Sequence, residues 1–140
     1  MLSKIAVALS LVIALAFAGV ASAGKPSGSS SINGPFLAAS PSGPAVTGAT
    51  AITPHFGDIV TFTVSTTATS NPFVNVNCYQ GGVLVMNSWS AFFPGGSGQG
   101  FGLYSPSWQS GAADCQADLG MLTNNGKWKV LASKSFHVDA

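Results

Sequence analysis

Few side chains in this 140-residue sequence can do acid–base, nucleophilic or metal chemistry: two histidines, four aspartates and two cysteines. Glutamate and arginine are absent. His55 or His137 could be combined on paper with a serine into a catalytic triad, but the sequence has no Gly-x-Ser-x-Gly turn. Ser97 lies in a glycine-rich stretch that no helical pattern follows. We therefore predict no catalytic residues and no enzymatic activity.

The carboxylates do not form a site either. Asp114 and Asp118 lie on one predicted strand, about 13 Å apart by strand rise, which is farther than either glycosidase mechanism uses. His137 and Asp139 could be half of a metal site, but no further ligand is placed by spacing. The glycines of residues 95–102 lack the helix and lysine of a phosphate-binding loop. We expect neither a metal nor a cofactor.

One segment concentrates aromatic side chains. Residues 87–111 hold six of them among glycine and serine, with no charged residue. Aromatic rings beside hydroxyl and amide groups suit a sugar or a protein partner. The alternative is that these rings close the ends of a β fold. The candidate ligand-binding residues are Trp89, Phe92, Phe93, Tyr104 and Trp108.

The N terminus predicts export. A cationic start at Lys4 precedes an apolar run over residues 5–20 and the small residues Ala21-Ser22-Ala23, which together are typical of a signal peptide over residues 1–23. An uncleaved anchor is the alternative. No later apolar run is long enough to span a bilayer, so we expect no membrane association after cleavage. The protein should be secreted or extracellular, with the cell surface a further possibility.

Export decides how the two cysteines are interpreted. In an oxidising compartment Cys78 and Cys115 most simply form one disulfide. Both fall on the apolar phase of their predicted strands, so the bond should be buried between two facing β layers that it locks together.

The exported chain would carry four lysines and four aspartates. Without surplus positive charge it is not expected to bind nucleic acid.

From Phe36 onward, short runs of β-branched and aromatic residues separated by turn residues predict an all-β fold. Residues 24–35 are rich in glycine, serine and proline and predict a flexible tail. Strands are predicted over residues 58–65, 73–79, 83–86, 113–121 and 127–132, with a short one near 101–105 between loops.

Two turns and two inward side chains complete this prediction. Gly81-Gly82 and Asn125-Gly126 each predict a hairpin, since both turns favour residues that adopt positive φ. In the last strand, Trp128 and Val130 are expected to point inward.

About seven short strands and one buried cystine predict a two-sheet sandwich. With residues 56–64 as the second strand and 108–119 as the penultimate one, residues 36–140 resemble a bacterial secreted immunoglobulin-like domain. The resemblance implies that the final hairpin forms the last two strands. The second strand has no cysteine, and Ala113 stands where a tyrosine is expected. The disulfide would then link neighbouring strands of one sheet or a displaced register, and a fibronectin-like or separate sandwich stays open.

These features predict a secreted, non-enzymatic binding or structural module with an unknown protein or carbohydrate ligand. The alternative is a secreted enzyme or enzyme inhibitor with its site in the aromatic loops of residues 87–111.

Overall fold

The computed structural model describes residues 28–40, 50–95 and 99–140. The strands are β1 (Ser30–Leu37), β2 (Ile59–Thr66), β3 (Phe73–Gln80), β4 (Val83–Ala91), β5 (Phe101–Gly102), β6 (Ala113–Leu122) and β7 (Trp128–Val138). The predicted all-β sandwich of about seven strands is confirmed. Across these ranges no helix is long and apolar enough to cross a membrane. The predicted signal peptide lies outside the described residues.

The strands form two antiparallel sheets. One has the order β1-β2-β5 and the other the order β4-β3-β6-β7. This is an immunoglobulin-like arrangement in which the fourth strand joins the sheet of the third, sixth and seventh strands. The predicted second strand and the final hairpin are confirmed. Strands β3 and β6 occupy the centre of the four-stranded sheet, so their side chains make up the middle of each of its faces.

Both predicted hairpins are present, and their turns contain glycines at positive φ. Gly81 and Gly82 join β3 to β4 with φ values of 55° and 82°, a region that residues with a Cβ rarely adopt. In the β6–β7 turn, Gly126 has a φ of 70° and donates its backbone N–H to the carbonyl of Thr123 at 2.8 Å. These turns fix β4 and β7 beside the central strands.

The core lies between the two sheets and follows the alternation of the strands. Val60 and Phe62 of β2 and Val74 and Val76 of β3 are fully buried. Burying each such apolar side chain contributes about 1.5–3 kcal/mol. The alternate residues of β3 and β6 therefore face away from the core.

The disulfide lies within this core. Cys78 of β3 faces Cys115 of β6 directly, with a Cα–Cα distance of 4.1 Å, and both residues are buried. The predicted buried disulfide is confirmed, and it links neighbouring strands of one sheet. The expectation that it locks the two β layers together is wrong, because both cysteines belong to the same sheet. Side-chain packing holds the layers instead.

The first strand corrects the predicted tail. Strand β1 begins at Ser30, so the flexible assignment is wrong for residues 30–35. Ile32 is buried against the core. Gly34 lets β1 approach β2 closely, because a Cβ there would lie 2.8 Å from the Phe62 ring. A single apolar residue and a glycine that permits close packing thus make a strand from a segment whose composition suggests a tail. Residues 24–27 lie outside the described part.

A β-bulge corrects the prediction for Trp128 and Val130, which do not point inward. Leu119 of β6 faces Ala132, but the next residue faces Val130, so Leu131 is an extra residue in β7. The alternation reverses there because side chains alternate with period two. Trp128 and Val130 are consequently exposed by 37% and 47%.

We predict that reducing the disulfide lowers the free energy of unfolding by about 4 kcal/mol, because the bond closes a loop of 37 residues in the unfolded chain. Urea unfolding with and without reductant measures the difference. The double variant Cys78→Ala/Cys115→Ala is the control and should not respond to reductant. Unfolding curves of the wild-type chain that coincide under both conditions would contradict the assignment.

Candidate functional site

The structure does not bring the predicted aromatic residues together. Trp108 is fully buried, and its indole Nε1–H donates to the Gly111 carbonyl at 3.0 Å. Phe92 is also buried and stacks on Phe101, with ring centroids 6.1 Å apart. These two side chains close the core, as the alternative interpretation held, and offer a ligand almost no surface.

Tyr104 and Trp89 are exposed, but in different places. Tyr104 is 56% exposed and lies against Gly102 of β5, in the three-stranded sheet. Trp89 is 58% exposed and belongs to β4, since that strand extends beyond its predicted end. The Trp89 ring lies 5.3 Å from Phe73, and Phe73 lies 5.5 Å from Phe93. Trp89 and Phe93 therefore belong to one cluster and Tyr104 does not.

We call the side of the four-stranded sheet that is turned away from the core the outer face. Four rows of facing residues cross it from β4 to β7: Ala91–Phe73–Gly120–Val130, Trp89–Asn75–Asp118–Ser133, Asn87–Asn77–Gln116–Ser135 and Leu84–Tyr79–Asp114–His137. Apolar and aromatic side chains dominate the first row, and hydrogen-bonding side chains dominate the others.

At its apolar end the outer face has an indole ring that lies over a glycine of β6. Trp128 lies over Gly120, where an added Cβ would be 2.7 Å from the ring atom Cε2. The φ of Gly120 is not positive, so glycine is required here for space and not for backbone conformation. Gly120 faces Phe73, which contacts Trp89. We call Phe73, Trp89, Phe93 and Trp128 the aromatic band.

In the centre of the outer face, an amide network is held in one orientation. Asn87 Nδ2 donates to Asn75 Oδ1 at 3.2 Å and to Asn77 Oδ1 at 2.6 Å. An asparagine side chain has two donor hydrogens and one acceptor oxygen. Because the oxygens of Asn75 and Asn77 are engaged, these residues present their Nδ2 donors to the solvent.

The neighbouring strand presents the opposite chemistry. Gln116 Nε2 donates to Asp118 Oδ1 at 2.8 Å, and Ser133 Oγ donates to the same oxygen at 2.6 Å. This leaves Asp118 Oδ2 and Gln116 Oε1 as acceptors, and Gln116 keeps its second Nε2–H as a donor. The outer face therefore has amide donors along β3 and mainly acceptors along β6, one strand spacing apart, about 4.8 Å.

The far end of the outer face contains an imidazole held by carboxylates. His137 Nδ1 lies 2.8 Å from Asp114 Oδ1, and Nε2 lies 3.6 Å from Asp139 Oδ1. Beside them is an open depression of about 430 Å³ whose lining includes Tyr79 and Gln116. A second depression, of about 200 Å³, lies beside Trp89 at the aromatic end.

Each histidine side chain lies beside an aspartate. His55 Nδ1 is 4.0 Å from Asp58 Oδ2, and the two ring nitrogens of His137 face Asp114 and Asp139. Among residues 28–40, 50–95 and 99–140, no group of three or more histidine, cysteine or acidic side chains could hold a metal ion.

The chain matches no protein-family model, no curated protein and no solved structure. Its function is therefore inferred from its own residues. The fold and the outer face define a two-sheet β-sandwich with an exposed surface that is aromatic at one end and polar across the rest.

We predict that Gly120→Ala destabilises the protein by about 1–3 kcal/mol, because the added methyl overpacks the space under the Trp128 indole. Urea unfolding measures this. The double variant Gly120→Ala/Trp128→Ala should recover part of the loss, and a double-mutant cycle isolates the coupling. Part of the penalty should remain, since the same Cβ would lie 2.7 Å from the Lys129 carbonyl oxygen. Strictly additive effects would show that the indole does not lie over Gly120.

We also predict that the three tryptophans differ in accessibility. In variants that each retain one tryptophan, with phenylalanine at the other two positions, iodide should quench Trp89 strongly, Trp128 less and Trp108 hardly at all. The order follows the exposed fractions of 58%, 37% and 0%. Strong quenching of Trp108 in the folded protein would contradict its place in the core.

Proposed function

We propose that the protein is a secreted, non-enzymatic carbohydrate-binding module whose outer face holds a glycan chain outside the cell or at its surface. The observation that carries this proposal is the combination, on one exposed face, of the aromatic band and a hydrogen-bonding network that is already oriented. The leader-like N terminus and the buried disulfide support export. The strand order is compatible with the sandwich fold that the resemblance to bacterial secreted immunoglobulin-like domains implies.

The aromatic band suits the apolar C–H faces of sugar rings. Indoles supply a large contact area with few rotatable bonds, so binding to them costs little conformational entropy. The Trp128 ring lies over Gly120 of β6, whereas Trp89 belongs to β4, two strands away. At about 4.8 Å per strand this separation is about 10 Å. A ligand that contacts both indoles must be a chain of several rings.

The polar centre suits hydroxyl groups. A hydroxyl both donates and accepts a hydrogen bond, so a sugar can accept from the Nδ2 groups of Asn75 and Asn77 and donate to Asp118 and Gln116. These side chains are held by one another before any ligand binds, which reduces the entropic cost of binding.

A protein partner fits this face less well. The buried centres of protein interfaces are depleted of charged residues, whereas Asp118 lies near the middle of the outer face.

The enzyme or inhibitor alternative, which placed a site in residues 87–111, is also less well supported. The segment 87–111 does not form one site, because Trp108 and Phe92 are buried and Tyr104 lies apart from Trp89.

We predict that the full chain is retarded in gels containing at least one soluble neutral polysaccharide, and that Trp89→Ala and Trp128→Ala each weaken binding about tenfold. Losing one stacking contact of about 1.4 kcal/mol gives this factor. Isothermal titration with the matching oligosaccharide measures the affinities.

Tyr104→Ala is the matched control, because it removes an aromatic ring of similar exposure that lies off the outer face. It should bind like the wild-type chain. Equal affinity in all three variants would place the ligand elsewhere. No retardation by any polysaccharide in a broad panel would refute carbohydrate binding.

A further inference from the structure

The four rows of the outer face contain two carboxylates, Asp114 and Asp118, and no lysine. The imidazole of His137 lies 2.8 Å from Asp114 Oδ1. Lys129 and Lys134 belong to β7 but face Met121 and Ala117, on the opposite phase of the sheet. A ligand on these four rows therefore meets carboxylates with no lysine ammonium group among them.

Asp118 is the carboxylate at the centre of this arrangement. Its Oδ1 already accepts from Gln116 Nε2 and Ser133 Oγ, which leaves Oδ2 for a ligand. Gln116 Nε2 uses one of its two amide hydrogens in this bond. A ligand group above the Asp118 carboxylate must donate a hydrogen bond to pair with it.

We propose that the outer face selects uncharged glycans over chains bearing carboxylate, sulfate or phosphate groups, and that Asp118 sets this selectivity. The proposal rests on the proposed carbohydrate-binding function. An ionised acidic group only accepts hydrogen bonds, so it cannot pair with the Asp118 carboxylate and is repelled by its charge. Above Asn75 and Asn77 it finds donors, but at one strand spacing, about 4.8 Å, it is repelled by the Asp118 carboxylate.

The test compares two forms of one ligand: a neutral oligosaccharide that binds the wild-type chain, and the same oligosaccharide with its primary hydroxyls oxidised to carboxylates. Titration calorimetry at low salt should show that the oxidised form binds at least tenfold more weakly. This gap should narrow at high ionic strength, since salt screens exposed charges.

Asp118→Asn is the informative variant, because it is isosteric and its amide oxygen can still accept from Gln116 and Ser133. The readout is the ratio of its affinities for the two forms: it should discriminate against the oxidised form less than about threefold. Asp58→Asn is the control: it removes the same charge from a turn residue whose Oδ2 accepts the His55 backbone N–H at 2.8 Å. That variant should keep the full discrimination.

Two results overturn the selectivity while leaving carbohydrate binding intact: equal affinity of the wild-type chain for both forms, or undiminished discrimination by Asp118→Asn. Failure of every neutral oligosaccharide to bind the wild-type chain overturns both the selectivity and the proposed function.

Discussion

The pairing of β3 with β6 is the constraint on which the rest of the molecule depends. Cys78 faces Cys115 across these two strands, and the covalent bond allows only one register between them. A slip of one residue would turn every side chain of a strand to the other face of the sheet. The same register therefore buries Val76 opposite Ala117 and turns the half-buried Asn77 away from the core opposite Gln116. Core and outer face are two consequences of one alignment.

Two local irregularities then place an indole ring on the outer face of this regular sheet. The extra residue at Leu131 turns Trp128 outward, and the missing side chain of Gly120 gives its indole a place to lie. Each feature is insufficient alone. Without the bulge the indole would face inward, and with a Cβ at position 120 it could not lie over that residue.

The sequence predicted the features that depend on neighbouring residues. Alternation identified β2, β3 and β6, and glycine turns identified the two hairpins. Residues 30–35 of β1 escaped prediction because Ile32 is the one large apolar side chain in this run of small and polar residues. The outward orientation of Trp128 was not predicted either. A bulge depends on the pairing with the partner strand and leaves no signal in the residue alternation of the strand that contains it.

The candidate site was predicted only in part, for the same physical reason. Trp89 and Phe93 were identified by their type, but spacing alone cannot separate them from the buried Trp108. The amide network was missed. Asn75 and Asp118 are 43 positions apart in sequence, and each by itself resembles any solvent-facing residue of an alternating strand. Only the β3–β6 register brings them into one row.

The most direct test of carbohydrate binding on the outer face is a 15N-edited NMR titration with a neutral oligosaccharide that binds. The account predicts shifts of the side-chain amides of Asn75, Asn77 and Gln116 and of the exposed indole N–H groups, while the Trp108 indole N–H stays unchanged. Shifts confined to the three-stranded sheet, with the side-chain amides of the outer face unmoved, would contradict it.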